Sequence, residues 1–254
     1  APSSHPKPAG HGGYSPQQPY RLPAAHWSAV CSWTAKVGWP IVFGLNLLSN
    51  RTGGPNGTEH WVADNAISLI RYTTKRHPGA VAGWELGNEP EGWKRNFGFS
   101  LSNSEIAADF ALLRSLLRSE FFESQYLVVG PDQGIQGCLH SGSCDQYEEL
   151  VALLRQHDSI DVSTFHFYNM GKTLNPQAEA PLFTDPATFD LTKRATMLAV
   201  NATRGASLAT PSSPALPVWL GETATASGGG LAGSSGTYTA TLLMVDKLGS
   251  VCLC

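Results

Sequence analysis

Glu89 and Glu222 are the residues of this sequence best placed to do chemistry. Each closes a short apolar segment: Val81-Ala-Gly-Trp-Glu-Leu-Gly87 runs into Asn88-Glu89-Pro90, and Pro217-Val-Trp-Leu-Gly221 runs into Glu222. A carboxyl just past an apolar strand can face a pocket, whereas burial in the core would strip its hydration. Taken singly, such a glutamate is more often a salt-bridge partner or a helix cap. Taken as a pair, the two meet the requirement of glycoside hydrolysis: one carboxyl protonates the leaving oxygen, and the other attacks or stabilises an oxocarbenium-like centre. Asn46, Asn88, Asp132, His166 and Tyr168 also fall at or near the ends of apolar runs. Three of these have a plainer reading. His166 fits a satisfied core histidine, Tyr168 a packing residue at the rim, and Asp132 the cap of the next helix, which is the reading preferred for it. Trp84 and Trp219 read as packing residues, and Asn46 is undecided.

The elements that must hold these residues alternate. Apolar runs at 40–46, 81–87, 126–130, 161–168 and 217–221 read as buried strands. Between them lie segments of helical spacing at 59–75, 104–119, 146–156 and 187–203, with further helices at 24–36 and 237–248. In the first of these the apolar face is Trp61, Ala63, Ala66, Ile67 and Ile70, and Ser104 is the expected N-cap of the second. Strict βα alternation implies parallel strands with covering helices. A doubly wound sheet and a (β/α)8 barrel both fit, and both bind ligands at the carboxyl ends of strands. No Gly-rich phosphate loop follows the first strand, which counts against dinucleotide binding.

The chain has 254 residues, 42% of them hydrophobic and 15% charged, with a formal net charge of −3. This suits one globular unit over 21–254, preceded by a flexible Pro/Gly-rich segment at 1–20. The slight acidity argues against nucleic acid as a partner. No apolar run is long enough to span a membrane. The cysteines Cys31, Cys138, Cys144, Cys252 and Cys254 match no zinc spacing, so no metal and no cofactor are expected. Cys138 and Cys144 read equally well as a local disulfide or as two free thiols. Sequons at Asn50, Asn56 and Asn201 favour a secreted or lysosomal protein.

Phe43-Gly-Leu-Asn46, Trp84-Glu-Leu-Gly-Asn-Glu-Pro90, Gly130-Pro-Asp132, Trp219-Leu-Gly-Glu-Thr223, Gly228-Gly-Gly230 and Val245-Asp-Lys-Leu-Gly249 occur in this order. The set resembles the heparanase-like family of retaining β-glucuronidases, from about residue 21 to residue 249. That resemblance implies a (β/α)8 barrel of TIM type in which the acid/base ends strand four and the nucleophile ends strand seven. The carried-over roles are Glu89 as acid/base and Glu222 as nucleophile. Asn88 would bond the sugar 2-hydroxyl, His166 and Tyr168 would line the pocket, and Gly228 and Gly229 would offer N–H groups to a substrate carboxylate. Only strands three to seven have counterparts here, so the barrel is expected to be incomplete, and a second chain could supply missing strands. After Gly130-Pro-Asp132 the chain reads Gln-Gly-Ile-Gln-Gly-Cys138, without the basic residues that the animal enzyme carries there. A less sulfated β-glucuronide therefore fits better than heparan sulfate as the glycan substrate. The alternative is a truncated, inactive or carbohydrate-binding relative.

Overall fold

Apolar runs bounded by glycine and proline become five parallel strands in the computed structural model, which describes residues 21–48, 51–52, 60–171, 176–208, 215–230 and 233–252. The strands are β1 (Ile41–Leu45), β2 (Val81–Leu86), β3 (Leu127–Gly134), β4 (Val162–Met170) and β5 (Val218–Ala226), and they pair in sequence order. The helices are α1 (Ala24–Val37), α2 (Asp64–Arg76), α3 (Trp93–Phe97), α4 (Asn103–Glu120), α5 (Gln136–Ser141), α6 (Asp145–Gln156), α7 (Pro176–Glu179), α8 (Pro186–Leu208) and α9 (Tyr238–Cys252). A doubly wound sheet reverses its strand order at a switch point, and this one does not. The sequential order is that of a barrel wall, here an incomplete (β/α)8 barrel.

The two-residue period of each strand sorts its side chains. In β4, Ser163, Phe165 and Phe167 turn toward the helices, where the two phenylalanines pack against alanines of α8 and Ser163 bonds Tyr147 of α6 and Thr203 of α8. Thr164, His166 and Tyr168 alternate onto the concave side. In β2, fully buried Trp84 meets Phe43 and Tyr126 edge to face behind the sheet. The central strands are buried almost throughout, whereas β1 and β5 are half-exposed because each has one neighbouring strand instead of two. Trp219 of β5 is 41% exposed, so it is not the packing residue its sequence context suggests. The helices beside these edges leave apolar groups open too, among them Trp33 of α1 and Val245 and Leu248 of α9.

The N-cap of helix α4 lies two residues before the expected one. Ser102, not Ser104, accepts the Glu105 N–H, while the Glu105 carboxylate accepts the Ser102 N–H, forming a reciprocal capping box. Helix α2 starts at Asp64, and residue 59, the first of its expected span, lies outside the described residues, as do 1–20 and the sequons at Asn50 and Asn56. Helix α4 approaches the sheet closely at Gly130, where an added Cβ would lie 2.5 Å from Phe110 Cζ. Gly130→Ala is therefore expected to cost about 1–3 kcal/mol of stability through overpacking. The check is a lowered urea midpoint at unchanged denaturant slope.

Candidate active site

Two bulges aim the functional side chains. In the β4–β5 pairing, Phe165 faces Leu220 but the next residue, His166, faces Glu222. Gly221 is the extra residue, and it moves Glu222 from the helix side to the concave side. In the β3–β4 pairing, Gly130 faces Ser163 and Gln133 faces Phe165, so that Pro131 and Asp132 together oppose Thr164. Asp132 takes a left-handed φ of 53°, and its N–H donates to Thr164 Oγ1 at 3.0 Å. The turn after β2 is held in turn by β3: the Glu89 N–H donates to the Asp132 carbonyl at 2.8 Å, with Glu89 at φ 44°. Left-handed backbone at two non-glycine residues costs free energy, and such strain concentrates at functional sites. Trp93 Nε1 bonds the Asn88 carbonyl at 2.8 Å and anchors the same turn.

The result is one constellation at the carboxyl ends of the strands. His166, 2% exposed, places Nδ1 3.3 Å from Glu89 Oε1 and 3.6 Å from Glu222 Oε2, and Nε2 3.5 Å from Asp132 Oδ1. One donor oxygen of each glutamate and a ring nitrogen of His166 lie within 4.8 Å of one another. The Tyr168 hydroxyl donates a short hydrogen bond to Glu222 Oε1. Burial, then that bond, pushes the ionisation of Tyr168 above the usual phenol range, so it stays a donor. For His166, burial favours the neutral ring, but hydrogen bonding to Asp132 and Glu89 and the charges of Asp132 and Glu222 outweigh it and lift the pKa to about 10.

A cleft of about 1540 Å³ opens above these groups. That exceeds the roughly 300–1,000 Å³ of typical small-molecule pockets and suits a chain of sugars. Asn88, Glu89, Tyr168, Glu222, Gly228 and Gly229 all line it, and Asn46 does too. Gly228 and Gly229 have φ of 71° and 85°, a turn that a side chain would strain. Cys138 and Cys144 are disulfide-bonded, tying α5 to the start of α6 on one wall.

Three acids play parts that the sequence reading did not assign. Asp132 caps no helix; it is 3% exposed and points at His166. Glu85, inside β2, lies on the concave side below it, and burial together with the neighbouring Asp132 pushes its carboxyl up to about 8. Glu91, open to the cleft, accepts the Gly134 N–H at 2.9 Å beside Glu89, and partial desolvation by the cleft wall lifts it to about 7. A lone charge within Trp-Glu-Leu was the available signal for Glu85.

A model of the glycosyl hydrolase family 79 N-terminal domain matches residues 13–249. The chain belongs to glycosyl hydrolase family 79. It is 31% identical to heparanase from Gallus gallus over 86% of its own length, and 27% identical to hyaluronoglucuronidase from Hirudo nipponia over 82%. It spans 38% of the first and 39% of the second. Among solved structures, a family 51 α-L-arabinofuranosidase from Bifidobacterium longum superposes with a TM-score of 0.53 at 15% identity, covering 77% of this chain and 38% of that one. This likeness supports the barrel fold alone.

Proposed function

We propose that this chain carries the catalytic pair of a retaining β-glucuronidase, with Glu89 as acid/base and Glu222 as nucleophile. The observation that carries the reading is the close approach of the two carboxylates around His166. Oxygens within 4.8 Å of one another match the roughly 5–5.5 Å carboxyl separation of retaining enzymes, not the roughly 6.5–9.5 Å that leaves room for water in inverting ones. Both carboxylates face one cleft, which favours catalysis over carbohydrate binding alone.

Glu222, oriented by Tyr168, attacks the anomeric carbon as its bond to the leaving oxygen breaks, and Glu89 passes its proton to that oxygen. Water then attacks the glycosyl-enzyme while Glu89 takes back a proton, and the ester bond to Glu222 breaks. Asn88 bonds the sugar 2-hydroxyl. The N–H groups of Gly228 and Gly229 receive the substrate carboxylate, and this contact selects a glucuronide. The name of the leech relative supports that sugar, and the scarcity of basic residues on the cleft wall favours a less sulfated glycan. No cofactor enters these steps.

A second chain or further segment pairs with the β1 and β5 edges; their half-exposed strands and the open apolar groups of α1 and α9 support this reading. The Cys138–Cys144 disulfide supports a secreted or lysosomal location, as does the sequon at Asn201, whose asparagine is exposed. Among the described residues, no helix is long and apolar enough to cross a membrane. The test is hydrolysis of an aryl β-glucuronide by the chain combined with the strands that close its barrel, followed by NMR of the first-formed sugar. The β-anomer is expected. An α-anomer as first product would reject the retaining mechanism, and no cleavage of any β-glucuronide would reject the substrate.

A further inference from the structure

We propose that Asp132, with Glu85 behind it, is a positioning residue that holds the His166 ring as a cation between Glu89 and Glu222. The purpose assigned to that cation rests on the glycosidase reading above, whereas the geometry stands without it.

Asp132 is buried, and among the described residues its Oδ1 has no hydrogen-bond partner. The contact described for that oxygen is with His166 Nε2 at 3.5 Å. A buried carboxylate without a partner is costly, and a protonated imidazole facing it removes most of that cost. The same residue fixes the backbone around it, since its N–H is held by Thr164 Oγ1 and its carbonyl receives the Glu89 N–H. One residue therefore sets both the ring that faces the catalytic pair and the turn that carries the acid. Glu85 reaches this point from β2, where it pairs with Gly44 of β1. Two touching carboxyls cannot both ionise cheaply, so the pair keeps one proton. That proton rests on Glu85, because Asp132 faces the imidazolium.

The charged and titratable groups around the ring are Glu85 of β2, Glu89 and Glu91 of the turn after it, Asp132 of β3, Tyr168 of β4 and Glu222 of β5. Across the reaction, one negative charge moves. It starts on Glu222, and after glycosyl transfer it sits on Glu89 while Glu222 is an uncharged ester. His166 Nδ1 is 3.6 Å from the first and 3.3 Å from the second. A fixed cation at these distances faces the negative charge in both states, so the ring need not move as that charge crosses.

The test is a pH titration of the imidazole nitrogens by NMR in the 15N-labelled chain, with His166 assigned by the signals lost in His166→Gln. At pH 8 an ordinary histidine is mostly neutral; His166 is expected to carry protons on both nitrogens. In Asp132→Asn its midpoint should fall by at least about one pH unit, a tenfold weaker hold on the proton, while the amide spectrum shows the fold retained. Asp132→Glu, which keeps the charge, should restore much of the shift, as a role in packing alone would not. A neutral His166 at pH 8 in the unaltered chain overturns the proposal, whether or not any variant folds. So does a folded Asp132→Asn with an unchanged midpoint. None of these readings requires hydrolysis. A failure here leaves the β-glucuronidase reading intact, and failure to cleave glucuronides leaves the His166 result intact.

Discussion

Glu222→Ala, in the enzyme with its barrel closed, is expected to lower turnover of an aryl β-glucuronide by roughly 10⁴- to 10⁶-fold, the range found when a nucleophile or the group that orients it is removed. The loss falls on kcat, because the carboxylate forms its bond only on the way to the glycosyl-enzyme. The fold should survive, since the Glu222 side chain is 46% exposed and fills no core space. Removal also clears the face of the sugar from which Glu222 attacked. Azide can then enter there, displace the leaving group, and give a glycosyl azide of α configuration. The rates with and without azide, and the configuration of that product, are the measurements. A Glu222→Ala variant that kept more than about a tenth of its activity would place the nucleophile elsewhere.

Much of this arrangement is legible in the chain. Glu89 and Glu222 are conspicuous because each follows a run of apolar residues, and the five runs alternate with helical spacing as the structure bears out. The alternation alone left barrel and doubly wound sheet open, because strand order is a property of pairing between distant segments; the family resemblance implied the barrel, and the sequential order bears it out. Nor were the faces. Strict alternation from Val218 would send Glu222 to the helices with Leu220; only the bulge at Gly221 returns it to the cleft beside His166. The same holds for Asp132, whose Gly-Pro-Asp context suggests a helix cap and whose bulged, left-handed backbone instead directs it beneath His166. Cap position failed by two residues at α4 because Ser102 and Ser104 are both competent, and the reciprocal bond with Glu105 selects Ser102. Cys138 and Cys144 were undecided until the short helix α5 brought their Cα atoms to 4.9 Å, within disulfide reach.

Glu89→Ala should behave differently from Glu222→Ala, and the difference assigns the two roles. Loss of a general acid costs about 10²–10⁴-fold where the leaving group needs its proton, so cleavage of a glycan or an alkyl glucuronide should fall by that factor. An aryl glucuronide with a strongly acidic phenol leaves as the anion and needs no proton, so its first step should change little. The second step still suffers, because water has lost its base. The glycosyl-enzyme should therefore accumulate, seen as a burst of phenol followed by a slow steady state, with a reduced apparent KM. Azide needs no base and should speed this second step. It attacks the sugar held on Glu222, so the product is the β-azide, opposite in configuration to that from Glu222→Ala. His166 remains beside the vacated position, with its ring still facing Glu222 and Asp132, so the pocket keeps its charge and the contrast reflects the missing proton donor. Equal losses on acidic and poor leaving groups, or α-azide from both variants, would contradict the assignment of Glu89 as the acid/base.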